Sequence, residues 1–74
     1  MVDFYIVQVC PAHGWGEDYF YCYHSLDNAR AKIAELAETF DMELLNPDFA
    51  AYWGEFTKEY HILEVKLSEG IFED

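Results

Sequence analysis

Basic residues are scarce in this sequence. Four Lys and Arg stand against 15 Asp and Glu, a formal net charge of −11 over 74 residues. Phosphates and anionic lipid headgroups repel a surface of that sign, so direct binding to nucleic acid or to a membrane is disfavoured and any nucleic-acid connection is expected to be indirect. Cysteine is limited to Cys10 and Cys22. Two thiols in strand-like runs, with no export signal ahead of them, predict a reduced chain with a cytoplasmic address. A long hydrophobic run is also missing: MVDFYIVQVC has no basic n-region, and its apolar stretch is too short for a signal peptide or a membrane span. There is no phosphate-binding glycine loop, EF-hand loop, nucleophile elbow, internal repeat or low-complexity stretch.

What is present is apolar. Aromatic residues make up 19% and hydrophobic residues 53% of the chain, enough for a core that acidic disordered tails cannot build. The length allows one domain, residues 1–74. A core of this size supplies only about 3 to 5 kcal/mol, so support from association, a homodimer for example, is expected.

Four segments read clearly. FYIVQVC over residues 4–10 predicts a strand that ends at Pro11 and Gly14, and YFYCYH over residues 19–24 predicts a second, joined to it by the loop PAHGWGED. Ser25 offers a helix N-cap, and Leu26, Ala29, Ile33, Leu36, Ala37 and Phe40 recur at helical spacing on one arc. YHILEVKL over residues 60–67 alternates as a half-buried strand, with His61, Leu63, Val65 and Leu67 on one face. Between helix and final strand, Asn46 and Pro47 resemble an N-cap and first helical position, which predicts a short second helix over DFAAYW stopped by Gly54.

The expected fold is therefore α+β, a ββαβ unit. Its three-stranded antiparallel or mixed sheet has order 2-1-3, one long helix on one face, and a short second helix. The sheet face away from the long helix, holding Phe4, Ile6, Tyr19, Tyr21, Tyr23 and Tyr60 on one parity, is expected to be covered by residues 44–56 or by a second molecule.

Chemistry finds little support. Cys10, His13, Cys22 and His24 are metal-ligand types. A hairpin whose paired residue numbers sum to about 29 sets Cys22 opposite Val7 and His24 opposite Tyr5, several residues from Cys10 and His13, too far for one tetrahedral ion. A Cys10 nucleophile beside His13 lacks the cationic surroundings that activate a thiol. A carboxylic general acid needs a concave, partly apolar pocket, which a single-layer domain of this size scarcely provides. No catalytic residue, metal or cofactor is expected. His24 and His61 read as half-buried strand imidazoles and Trp53 as core, whereas Trp15, between two glycines of the hairpin loop, reads as an interface anchor.

The carboxylates remain. From Ile33 to Thr57 there is no Lys or Arg, while Glu35, Glu38, Asp41, Glu43, Asp48 and Glu55 form a stretch of one sign. Such a row matches basic side chains that otherwise hold phosphates. In size, charge and element plan the whole chain resembles the small acidic α/β proteins of bacteriophages, among them anti-CRISPR inhibitors that mimic DNA. The resemblance implies binding to a nucleic-acid-binding protein or effector complex, with these six carboxylates competing with phosphate and Trp15 or the sheet tyrosines as apolar anchors. The alternative reading is a homodimerising structural or regulatory domain whose acidity serves solubility.

Overall fold

The computed structural model describes residues 2–11, 16–54 and 60–71. These form β1 (Phe4–Pro11), β2 (Tyr19–Tyr23), α1 (Leu26–Thr39), β3 (Glu43–Asn46), β4 (Phe49–Trp53) and β5 (His61–Gly70). One sheet of order β2-β1-β5-β4-β3 results, antiparallel at every pairing. The helix packs on one of its faces. This corrects the expected three-stranded ββαβ sheet of order 2-1-3 with two helices: the sheet has five strands, and the described residues hold one helix.

The correction originates at Asn46 and Pro47. The Asn46 side chain accepts a hydrogen bond from the Asp48 amide at 2.8 Å, and Pro47 fixes the first turn position, so the pair opens a reverse turn that sets Asn46 opposite Phe49. The same side-chain-to-backbone bond that caps a helix also starts a hairpin. Tertiary burial then overrides the helical preference of Ala50 and Ala51. They are fully buried on opposite faces of β4, opposite Val65 and Glu64 of β5. Residues 43–53 thus extend the sheet sideways and leave its second face without the cover that had been expected from them.

The first hairpin sits one residue away from its expected register. Tyr5 pairs with Tyr23, Ile6 with Cys22 and Val7 with Tyr21. A slip of one residue exchanges the faces of a strand. Tyr19, Tyr21 and Tyr23 therefore share the helix-covered side with Tyr5, Val7 and Val9, and Tyr21 and Tyr23 pack against the core. Phe4, Ile6, Phe20 and Cys22 take the other side. Tyr60 precedes β5 and is exposed, and His24 is exposed just beyond β2.

The core lies between α1 and the sheet and consists of Val7, Val9, Ala29, Ile33, Leu36, Ala37, Met42, Ala50 and Val65. Ser25 starts the helix: its Oγ accepts from the Asn28 amide at 3.4 Å and its carbonyl from the Ala29 amide at 3.0 Å. At the other end the Met42 amide reaches the Ala37 carbonyl at 2.7 Å and the Asp41 amide the Glu38 carbonyl at 3.4 Å. This is a Schellman motif closed by the buried Ala37 and Met42. Its left-handed position, usually glycine, is Asp41 with φ 54°.

Candidate functional site

The acidic positions do not form one row. Glu35 and Glu38 are exposed on the solvent side of α1, and Lys32 approaches Glu35 to 3.6 Å. Asp48 is turned inward: Arg30 Nε donates to its Oδ1 at 2.7 Å and Arg30 Nη2 to its Oδ2 at 3.4 Å, a fork that ties the β3–β4 turn to the helix. That hydrogen bond raises the Arg30 pKa further above its ordinary value. Glu55 and Trp15 lie outside the described residues, as does His13.

Glu38 and Asp41 remain at the end of α1, while Glu43 opens β3 opposite Ala51, on the sheet face away from the helix. All three are exposed and follow one another from the last turn of α1 into the first residue of β3. The last turn of α1 holds no basic residue. Free carbonyls give a helix C-terminus a partial negative charge, so anions are disfavoured there and cations favoured. Acids have been placed at the pole that repels them.

Beside this pole, between α1 and the sheet, lies a cleft of about 360 Å³. Leu36 and Phe40 of the helix wall one side, and Val9, Tyr19, Tyr21 and Leu63 from three strands wall the other. Glu17 joins the lining with Pro11. Above Tyr21, Lys32 Nζ lies 4.7 Å from the ring centroid, a cation–π contact.

The opposite sheet face carries a polar cluster that sequence reasoning missed. Glu64 accepts from Cys10 Sγ at 3.3 Å, meets His61 Nε2 at 2.5 Å, and has Lys66 Nζ 3.6 Å away. Strand alternation places His61 and Glu64 on opposite faces, but a register shift between Tyr52 and Trp53 sets Trp53 opposite His61 and carries the imidazole round to Phe49, edge to face at 6.1 Å. Burial, and after it Glu64, pushes the Cys10 thiol up to about 11. At neutral pH it is protonated and a poor nucleophile. Cys22 lies four rungs away, about 13 Å along the strand. Among the described residues no three His, Cys, Asp or Glu gather as a metal site, and no helix is long and apolar enough to cross a membrane.

No family model matches the chain, and neither a curated protein nor a solved structure matches it.

Proposed function

We propose that the chain is a non-enzymatic acidic inhibitor that binds a basic nucleic-acid-binding protein and blocks its nucleic-acid site by charge mimicry, in the cytoplasm of a bacterial host. A CRISPR-Cas effector is the form of target that the resemblance to phage inhibitors suggests. One observation carries the reading: Glu38 and Asp41, both exposed, stand at the negative pole of α1, whose last turn holds no basic residue. That arrangement weakens the helix in the free protein, and Lys or Arg of a partner would relieve it. The net charge of −11 exceeds the magnitude of about 2 to 8 that suffices for solubility in a small domain.

The test is affinity for a DNA-binding effector across a salt series. Binding should weaken steeply as salt rises, and should fall at least roughly tenfold when Glu38, Asp41 and Glu43 become Gln, Asn and Gln. Binding that ignores both salt and these substitutions would remove the reading.

The homodimer reading retains one specific support, Phe20, which is 60% exposed on the sheet face away from α1. It predicts a concentration-dependent mass that Phe20→Glu abolishes.

A further inference from the structure

We infer that the cleft at the C-terminal end of α1 is a socket for one arginine or lysine side chain of the basic partner, an inference that rests on the charge-mimicry reading and gives it an anchor point.

The cleft has the two halves such a side chain requires. Its inner wall is apolar, with Val9 and Leu36 each 6% exposed, and suits a methylene stem. Its outer wall holds Tyr19 and Phe40, 64% and 49% exposed, whose ring faces suit a cationic head. Phe40 is the helix C-cap residue, so its aromatic ring stands at the pole where α1 presents its last carbonyls. The charges nearest in sequence to this wall, Glu17, Asp18, Glu38 and Asp41, are all negative and all exposed. An anionic ligand would be repelled by this rim, and a neutral apolar one would draw nothing from it. The volume of about 360 Å³ lies at the small end of ligand pockets, roughly 300 to 1,000 Å³, and suits a side chain better than a folded segment.

The molecule already makes a contact of this kind. Lys32 places its ammonium on Tyr21, a ring of the same wall, and its charge is matched by Glu35. Tyr19 and Phe40 provide a second aromatic seat beside it, with no Lys or Arg of the last helical turn to fill it. Arginine fits better than lysine because its planar head stacks on rings and is more weakly hydrated.

The probes are two short blocked peptides, acetyl-Gly-Arg-Gly-amide and the same peptide with norleucine in place of arginine, titrated into isotopically labelled full-length protein and followed by NMR. The arginine peptide should shift the resonances of Tyr19, Leu36 and Phe40, and the norleucine peptide should bind several-fold more weakly. Glu17→Gln, an exposed change that leaves the core intact, and Phe40→Ala should each weaken the arginine peptide about three- to fivefold, the worth of an exposed cation–π or rim contact. Shifts confined to Glu38, Asp41 and Glu43, with Phe40→Ala without effect, would overturn the socket yet leave charge mimicry standing. Equal binding of both peptides, or no saturable binding, would overturn it as well. Cleft resonances that move with protein concentration alone would assign the cleft to a second copy of the chain. A Glu17→Gln protein that still loses effector binding with salt while binding the peptide normally would do the same damage to the socket alone.

Discussion

Phe4 roofs Gly70. The two residues are cross-strand partners on β1 and β5, and the Phe4 ring occupies the space a β-carbon at position 70 would need. Gly70 closes β5 without a side chain to pack, and an aromatic ring laid across it restores the lost contact. Gly70→Ala forces the ring aside and should destabilise the fold by up to about 1 kcal/mol, less than overpacking of a closed core, because the half-buried ring can swing outward. In Phe4→Leu the same change should cost much less, so a double-mutant cycle by chemical denaturation should return a clear coupling energy. Additive effects would dismiss the relationship.

Asp41 separates stability from binding. Its φ of 54° is one that glycine adopts without strain. Asp41→Gly should raise the melting temperature, by about 0.5 kcal/mol of stability, and Asp41→Ala should lower it. Both remove the charge, so both should weaken a basic partner. A thermal melt and a binding isotherm on the same two variants check this, since a loss of affinity in the stabilised Asp41→Gly protein cannot come from unfolding.

Arg30 and Asp48 form a partly exposed pair, with side chains 41% and 43% accessible. Such pairs contribute little and are screened by salt. Arg30→Met should lower the melting temperature slightly at low salt, less than any core truncation, and the difference should shrink in molar salt. Asp48→Asn keeps the turn but loses the fork and should behave alike. A large, salt-independent loss would mean that Arg30 acts through packing of its stem.

Cys10 predicts a stability trend above neutrality. Its thiol titrates at about 11 in the fold against an ordinary 9.0. The folded chain therefore holds its proton after the unfolded chain has released it, so the contribution is complete below pH 9 and is lost as pH rises from 9 to 11. Cys10→Ala should flatten that part of the stability profile relative to the parent. In the native state, iodoacetamide should modify the exposed Cys22 well before the buried Cys10. Glu64→Gln removes the charge that holds the Cys10 proton and should speed its alkylation.

Strong local signals were legible in the sequence. Ser25 and the Leu26-to-Phe40 arc delimit α1, and the apolar runs around Val7, Tyr21 and Val65 mark three of the strands. The β3–β4 hairpin was not, because Asn46 and Pro47 serve helix and turn alike, and two alanines favour a helix until burial on both faces selects a strand. The hairpin register was missed by one residue, since a long loop does not pin register as a two-residue turn does. Exposure of Glu35 and Glu38 followed from helical spacing, but the capture of Asp48 by Arg30 depends on where the turn docks. Likewise, Cys10 and Glu64 meet across strands 54 residues apart in sequence, and no local pattern announces that pairing.

Among the described residues β2 pairs only with β1, so its other edge ends the sheet. Its residues, Tyr19–Tyr23, include no charge and no proline, the features by which natural edges discourage further strands from adding. The charge of the whole molecule fills that role, holding two such edges apart by long-range repulsion. Colloidal stability is then set by ionisation. As pH falls toward the isoelectric point of approximately 4.3, that barrier disappears while the uncharged YFYCY edge persists, and edge-to-edge association is the expected outcome.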